Sequence, residues 1–391
     1  MLTQIRNQFR HIDWILLAAT LPIMAGGLVT MRPLGDGDSL YSQQLVWIIL
    51  SIFIFFVAAL GTYRFLRRRA VIITIFLAAV AALILVTLTG TIAGGAQSWF
   101  DLGPFRVQPA EPAKLAIIII LAKYFDRRHA LIHNFRHIII SGLYAFLVAG
   151  LVFLQPDFGS AIIIAAIWFG MILIAGISLR HVLVLIAAAL LVFTLLWTVG
   201  FTTEQKERVT SFTNPVTDLQ GAGYNARQAM VAVGSGQLLG KGIGYGTQSR
   251  LSFLPEHQTD FIFAAFAEEW GFVGVLILLL LFGIIFWRIA NLALAGETQF
   301  ERLFGAGVFI FLLTHVVMHV GINLGLLPVT GTTLPFMSYG GSHLLVEFLA
   351  LGILVGMQQY RRAGNISRLS FSDLPETSER GIMRENDHAK S

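Results

Sequence analysis

The sequence predicts an all-α polytopic membrane protein with ten transmembrane helices, both termini in the cytoplasm and one large external loop between helices seven and eight. Three observations support this prediction: the composition, the lengths of the apolar runs and the distribution of arginine and lysine. Of the 391 residues, 56% are hydrophobic and 13% are charged, which is too apolar for a soluble globular protein. The chain has no cysteine, which excludes disulfides, thiol nucleophiles and cysteine-ligated zinc.

Ten apolar runs are long enough to cross about 30 Å of hydrocarbon. They lie near residues 14–31, 44–61, 70–90, 109–125, 138–155, 160–176, 181–200, 261–287, 303–327 and 343–358. The first run follows a short basic arm with Arg6 and Arg10, and no small-residue cleavage site comes after it. We therefore expect an uncleaved first helix and a cytoplasmic N-terminus.

Basic residues collect in alternate short loops, as they do on the cytoplasmic side of membrane proteins. They follow runs two, four and ten, and they are Arg64, Arg67, Arg68, Arg69, Lys123, Arg127, Arg128, Arg136, Arg361 and Arg362. The short loops on the other side contain only Arg32 and Arg106. This asymmetry predicts an even number of spans and places the long loop, about 201–260, outside the cell.

We interpret residues 1–362 as one membrane domain and residues 363–391 as a tail. The tail is polar, mixed in charge and poor in apolar residues, which predicts a disordered cytoplasmic extension without chemistry of its own.

The segment from Leu254 to Gly271 leads from a polar loop into apolar run eight. Asp260 stands at this external boundary, where a carboxylate partly removed from water can have a raised pKa and act as a general base. The alternative is a helix N-cap. At about 100° per residue, Glu268 falls roughly 80° from Asp260, and Glu269 falls on the opposite side. Only Glu268 is expected to share the cavity, unless either glutamate is simply hydrogen-bonded to a neighbouring helix.

A second group of charges begins run four, where Glu111 and Lys114 lie three residues apart on one helical face. They can form a buried ion pair, or Lys114 can bind an anionic head group while Glu111 orients it. Trp99 in the preceding loop could cover a lipid chain or a sugar face, and an ordinary interfacial tryptophan would look the same.

Two further loops carry polar residues to the outer face. Asp157, in the turn Gln155-Pro-Asp-Phe-Gly159, either caps the following helix or points inward. The loop from Pro328 to Ser342 is rich in Gly, Pro, Ser and Thr, and such backbone near membrane depth is tolerated where it lines a cavity. We include its Ser338 and Ser342 among the predicted substrate-binding residues.

Two other patterns are weaker. The glycine-rich stretch around Gly240 and Lys241 resembles a phosphate loop, but Gly242 stands where that motif needs Ser or Thr. His315 and His319 have the spacing of metal ligands, yet Val316 replaces the glutamate of a zinc protease. We interpret these histidines as interhelical hydrogen-bonding residues.

Taken together, these motifs resemble the SEDS family (shape, elongation, division and sporulation). The resemblance covers nearly all ten spans, and it is carried by Leu254 to Gly271, Pro328 to Ser342, Gln108 to Lys114, Gln155 to Gly159 and Asn214-Pro215. The stretch Gly246 to Leu251 and the short N-terminal arm resemble the elongation members more than the division members.

The resemblance implies a peptidoglycan glycosyltransferase that polymerises lipid II on the outer face of the bacterial cytoplasmic (inner) membrane, for cell elongation and shape. Asp260 falls on the essential aspartate of the family, and it would act as the base directly or through a divalent cation (Mg²⁺ or Mn²⁺) on the diphosphate. No organic cofactor is expected. Trp99, Glu111, Lys114 and Asp157 match positions lining the central cavity, and Arg208 matches an arginine of the external loop. Pro112 and the pair His257-Gln258 depart from the family pattern.

The same resemblance implies partners: lipid II and the undecaprenyl diphosphate-linked glycan, a class B penicillin-binding transpeptidase and other elongation-complex membrane proteins, with no nucleic acid. Two rival functions remain from the residues alone. In a lipid II flippase or other transporter, the intramembrane charged residues would form the pathway. A non-catalytic scaffold would only recruit the transpeptidase.

Overall fold

The computed structural model describes residues 12–31, 38–61, 63–93, 96–101, 103, 106–128, 135–213, 221–251, 253–254 and 256–372. The N-terminal arm, Arg32, the Asn214-Pro215 turn and residues 373–391 lie outside the described residues.

Long helices follow every predicted apolar run. The first seven are α1 (Trp14–Met31), α2 (Asp38–Leu60), α3 (Arg69–Thr89), α4 (Ala110–Arg128), α5 (Phe135–Leu154), α6 (Phe158–Ile174) and α7 (Leu179–Leu195), the last continued by a π-helical turn at Leu196–Gly200. A short 3-10 helix, Tyr63–Arg67, lies between α2 and α3. The long loop after α7, which we call the external loop after its predicted position, contains α8 (Thr203–Thr213), α9 (Ala222–Ser235) and α10 (Thr247–Arg250). The chain continues with α11 (Ile262–Leu294), α12 (Gln299–Asn323) and α13 (Gly341–Ser372).

Within the described residues, eight helices are long and apolar enough to cross a membrane. Two more follow predicted spans: α6 has only 17 residues, and α4 carries several charged side chains, including Glu111 and Lys114. The all-α membrane fold is confirmed, while the count of ten spans and the external position of the long loop stay predictions. Helix α13 extends beyond residue 362, to Ser372, and the disordered tail also stays a prediction.

A small antiparallel sheet precedes α4, in a loop for which no regular structure was predicted. Its strands are β1 (Thr91–Ala93), β2 (Ala96–Asp101) and β3 (Arg106–Val107), in the order β1-β2-β3. Thr91 pairs with Trp99, and Phe100 pairs with Val107. The strands are short and pair only with one another, so the helical bundle remains the body of the fold.

Helix α12 lies at the centre of the bundle and packs against α11, α6, α4 and α13. Helix α7 has no buried side chain, although its sequence is strongly apolar. Exposed apolar side chains are stable in hydrocarbon and not in water, so the exposed side of α7 is suited to a lipid environment.

Helix α11 is interrupted at Gly271, which has φ 66° and ψ −168°. The segment 236–244 of the external loop fills the interruption: Lys241 N–H donates to Glu268 O (3.0 Å), and Phe272 N–H donates to Gln237 O (2.8 Å). Backbone groups released by a helix break must be satisfied inside the protein at membrane depth. The glycine-rich stretch at Gly240 and Lys241 therefore has a structural role here, which the phosphate-loop comparison did not predict.

Candidate active site

Asp260 lies in a tight turn that precedes α11. Glu256 begins the turn with φ 52°, and its carbonyl oxygen accepts from the backbone N–H groups of Thr259, Asp260 and Phe261 at 3.0 to 3.2 Å. Phe261 is the residue at the N-cap position, and no side chain caps the helix there. The N-cap alternative for Asp260 is therefore wrong, and its carboxylate interacts with the side chain of Thr259 instead.

Two elements hold this turn in place. The amide of Asn323, at the end of α12, donates to Asp260 O (3.0 Å) and accepts from Ala264 N–H (3.1 Å). The loop 328–340 contributes Ser338, whose hydroxyl donates to Thr259 O (2.8 Å). The backbone of Gly331 in the same loop passes so close that a Cβ there would lie 3.5 Å from Asp260 Oδ2. The surroundings of Asp260 are thus built by its own turn, by the end of α12 and by a loop some seventy positions later in the chain.

The environment of Asp260 favours a proton acceptor that works near neutral pH. Burial, followed by the negative charge of Glu256, raises the pKa of Asp260 to about 7, against the opposing charge of Arg208. The residue as a whole is half-buried. A base is most efficient when its pKa lies close to the working pH.

Asp157 does cap a helix, and it also reaches across to another element. Its Oδ1 accepts from Ser160 N–H in the first turn of α6 (3.0 Å), and its Oδ2 accepts from the side chain of Gln108 (2.6 Å). Asp157 therefore caps α6 and also points inward, the two alternatives that the sequence left open. Its negative charge contributes to the raised pKa of Asp260, which places the two carboxylates within electrostatic reach of each other.

Helices α4, α12 and α13 share a buried charge network, which we define as Glu111, Lys114, His315, His343 and Glu347. Lys114 Nζ lies 2.7 Å from Glu111 Oε1 and 3.3 Å from His315 Nε2. His343 Nδ1 lies 2.8 Å from Glu111 Oε2, and His343 Nε2 lies 2.8 Å from Glu347 Oε1. The predicted pair Glu111–Lys114 therefore exists, and it belongs to a larger arrangement that joins α4, α12 and α13.

The histidines of α12 bind the loop 328–340. His315 Nδ1 lies 3.3 Å from Thr333 O, and His319 Nδ1 lies 2.7 Å from Thr332 O. One turn further, the Asn323 amide donates to His319 O (2.8 Å) as well as to Asp260 O. These contacts agree with the hydrogen-bonding interpretation of both histidines, and they link the network to the turn that presents Asp260.

Glu111, His315 and His343 form a group whose ligand atoms all lie within 4.8 Å of one another, the one such triad in the described part of the chain. Imidazole and carboxylate together suit a transition metal better than Mg²⁺, which prefers oxygen ligands. However, the Lys114 ammonium already contacts two of the three residues. A resident cation would face that positive charge, so the residues fit a metal poorly.

The remaining predicted site residues lie in three different places. Trp99 is half-buried on β2, and Arg208 is partly exposed on α8, where its charge acts on Asp260. Ser342 accepts from Gln108 N–H (3.3 Å), so its hydroxyl, like that of Ser338, has a structural partner.

Glu268 is not brought to the Asp260 turn. Its Oε1 lies 2.7 Å from Lys241 Nζ and accepts from the backbone N–H groups of Thr247 (2.9 Å) and Gln248 (3.2 Å). Its carboxylate is completely buried among these donors. The contacts favour a structural role at the start of α10 over a shared cavity with Asp260.

Two members of the charge network, His343 and Glu347, were not predicted. Their signal in the sequence was a histidine and a glutamate spaced i, i+4 inside apolar run ten, where ionisable groups are rare and usually functional.

Comparisons with known proteins agree with this architecture. A sequence model of the family described as "Cell cycle protein" (FtsW, RodA and SpoVE) matches residues 12–363. Peptidoglycan glycosyltransferase MrdB of Escherichia coli K12 is 34% identical over 353 residues, covering 90% of this chain and 95% of that protein. Stage V sporulation protein E of Bacillus subtilis is 35% identical over 366 residues, covering 90% and 98%.

Solved structures give the same result. A chain of a peptidoglycan synthase complex that coordinates polymerization and crosslinking matches with a TM-score of 0.78 and 33% identity, covering 90% of this chain and 98% of that one. The rod shape determining protein RodA of Thermus thermophilus matches with a TM-score of 0.64 and 31% identity, covering 89% and 97%. The chain therefore belongs to the FtsW, RodA and SpoVE family, which is the SEDS family that its motifs resemble.

Proposed function

We propose that this chain is a peptidoglycan glycosyltransferase of the bacterial cytoplasmic membrane, which polymerises lipid II into glycan strands on the outer face during cell elongation. The observation that carries the proposal is Asp260, a half-buried carboxyl group whose pKa is raised to about 7 and whose turn is clamped by Asn323 and Ser338. The family relationship supports it, because relatives carry the name peptidoglycan glycosyltransferase.

In the proposed reaction, the 4-hydroxyl oxygen of the acceptor N-acetylglucosamine attacks the anomeric carbon of the terminal muramic residue of the growing chain. The new C–O bond forms as the bond from the anomeric carbon to the diphosphate oxygen breaks, with inversion, and undecaprenyl diphosphate leaves with the electron pair. Asp260 takes the hydroxyl proton, a step that typically contributes 10² to 10⁴-fold to rate.

Other residues are assigned to substrate binding. Positive charge for the diphosphate comes from Arg208, on the external loop, and from Lys114, in the buried charge network. Glu111 orients Lys114. Asp157 and Trp99 contribute to the walls of the cavity. In the alternative form of the proposal, Asp260 would act through a divalent cation, Mg²⁺ or Mn²⁺, on the diphosphate, and that cation would neutralise the leaving group. We assign Ser338 and Ser342 to support of the loop 328–340 and not to substrate contact. Glu268 is not assigned to substrate binding, because its carboxylate already pairs with Lys241.

The proposed protein partner is a class B penicillin-binding transpeptidase, since one structural relative is part of a peptidoglycan synthase complex. Other elongation-complex proteins belong to the same proposal. Relatives include proteins named MrdB and FtsW and a rod shape determining protein RodA, so localising the tagged protein to sidewall or septum tests the elongation role.

The deciding experiment supplies lipid II and a divalent cation to the purified complex with its cognate transpeptidase. Glycan polymer is compared on gels for the wild type, Asp260→Asn and a matched control, Asp126→Asn. Asp126 pairs with Lys123 at the other end of α4 (2.9 Å), so its variant should polymerise normally. Polymer that only Asp260→Asn abolishes, in a folded complex, is the expected result.

Two other outcomes contradict the proposal. Equal polymer from wild type and Asp260→Asn would remove Asp260 from the reaction and indicate a contaminating polymerase. No polymer from any variant, beside a working positive control, would favour a flippase or a non-catalytic scaffold.

A further inference from the structure

With both glutamates ionised, the charge network is electrically balanced only if one of its histidines carries a positive charge, and the ring contacts assign that charge to His343. Both nitrogens of its ring face a carboxylate oxygen at 2.8 Å, and an unprotonated nitrogen would direct its lone pair at a negative charge. The contact with Glu347 is bent away from hydrogen-bond alignment, so we treat it as an ion pair. With His343 as imidazolium, the cations Lys114 and His343 balance the anions Glu111 and Glu347.

His315 completes this assignment as a neutral ring. Lys114 can only donate, so the His315 Nε2 atom at 3.3 Å accepts. Its Nδ1 must then carry the proton, which is directed at Thr333 O. The rings of His315 and His343 lie 4.5 Å apart, and a second imidazolium at that distance would be strongly repelled.

Glu347 is held by a second contact that has nothing to do with charge balance. Its Oε2 accepts from Phe336 N–H (3.0 Å), and Phe336 has φ 61°, a backbone conformation that costs free energy for a non-glycine residue. Glu347 thus ties the loop 328–340, which also holds the Asp260 turn, to the network.

We infer that His343 and Glu347 are positioning residues for substrate binding. His343 occupies one oxygen of Glu111, so Glu111 pairs with Lys114 through its other oxygen only. The Lys114 ammonium is therefore not fully neutralised, and its remaining positive potential attracts the lipid-linked diphosphate. The inference rests on the proposed function and deepens it. Burial raises the pKa of Asp157 and the charge of Lys114 opposes this rise, so the ammonium acts electrostatically beyond its own network, on Asp157.

The test uses the double variant His343→Gln/Glu347→Gln, which removes one positive and one negative charge and keeps the network balanced. Binding of lipid II is measured in the Asp260→Asn background, where no turnover occurs, and KM and kcat are measured with Asp260 intact. We expect Kd and KM to rise about tenfold or more, with a smaller change in kcat. His343→Arg, which retains a fixed charge and can bridge two carboxylates, should bind within a fewfold of the wild type.

The matched control is Asp13→Asn/Arg288→Gln, which removes an ion pair between α1 and α11 and should leave lipid II affinity unchanged. A folded His343→Gln/Glu347→Gln variant that binds lipid II like the wild type would overturn the inference, because charge balance alone would then explain the pair. If that variant does not fold, His343→Arg decides, and a tenfold loss of binding in a folded His343→Arg protein would equally overturn it.

The two proposals fail in different ways. The proposed function is contradicted if the wild type makes no polymer, whatever the binding result. The positioning inference is contradicted if the double variant binds lipid II like the wild type, whatever the polymer result.

Discussion

The properties of Asp260 depend on its neighbours. Its turn contributes the Glu256 charge, α12 contributes Asn323, and the loop 328–340 contributes Ser338. None of these contacts neutralises the carboxylate, since Asn323 and Ser338 bind backbone oxygens of the turn. These contacts therefore fix the position of Asp260, while burial and neighbouring charges set the pKa of its carboxyl group.

The first prediction concerns the pH dependence of polymerisation. Because the unprotonated form of Asp260 is the base, kcat/KM should rise with pH and be half-maximal near the pKa of about 7. Glu256→Gln removes a negative charge that disfavours the carboxylate, so the pKa of Asp260 should fall and the rising limb should move roughly 0.5 to 1 pH unit lower. The measurement is the initial rate at limiting lipid II across pH.

Glu297→Gln is the control for this profile, since Glu297 is exposed between α11 and α12. Its profile should coincide with that of the wild type. A rising limb that stays in place in Glu256→Gln, or moves to higher pH, would contradict the electrostatic account of Asp260.

The second prediction separates a structural Glu268 from a substrate-binding one. Glu268→Gln loses the charge that pairs with Lys241 and accepts two backbone N–H groups, so we expect the free energy of unfolding to fall by about 1–3 kcal/mol. The KM for lipid II should not change. Thermal unfolding of the detergent-solubilised complex and lipid II kinetics are the two measurements, and a raised KM with unchanged stability would restore Glu268 to the substrate site.

At the residue scale, the sequence predicted the groups that lie near their own motif and missed those defined by tertiary contacts. Asp260, Asp157 and the pair Glu111–Lys114 could be found from local pattern. Glu268 could not be assigned correctly, because its partner Lys241 reaches it only through docking of the external loop. A helical wheel of α11 does not show a contact with a loop elsewhere in the chain.

At the element scale, the interruption of α11 is the feature that most affects the site. The sequence predicted a single continuous span, 261–287, because Gly271 alone does not reveal a break. The structure divides the helix there, and the carbonyl and N–H groups on either side bind the segment 236–244. The short stretch that begins just after Asp260 is thereby anchored to the external loop as well as to α12.

The third prediction tests this interruption. Gly271 has positive φ, and a Cβ would lie 2.2 Å from Gly240 N, so Gly271→Ala should destabilise the protein by more than about 1–2 kcal/mol, the cost of the left-handed conformation alone. Gly283→Ala lies on the same helix with no atom within 4 Å of the added carbon, and it should be neutral or slightly stabilising. Thermal unfolding of both variants in one detergent is the measurement, and equal unfolding temperatures would exclude a required break.

At the scale of the whole molecule, the sequence was most informative about the membrane and least informative about the interior. Lipid exposure is a property of composition, so every long helix could be located from hydropathy, although α2, α11 and α13 extend six or more residues beyond their predicted runs. Helix α7, with no buried side chain, was as easy to predict as the central helix α12. The network of His343 and Glu347 required knowledge of which helix faces meet, and that depends on packing among α4, α12 and α13.

The last prediction concerns the ten-span topology, which depends on whether α4 and α6 cross the membrane. The chain has no cysteine, so single cysteines can be labelled by an impermeant maleimide without background. Cysteine in place of Asp101 or Glu207 should be labelled on intact spheroplasts, whereas cysteine in place of Arg128, Arg180 or Glu297 should be labelled only after permeabilisation. All five positions are exposed. If α4 did not cross, positions 101 and 128 would be labelled from the same side. If α6 did not cross, position 180 would be labelled from outside. Either result would reject ten spans, because the positive-inside pattern requires the chain to change sides of the membrane at both helices.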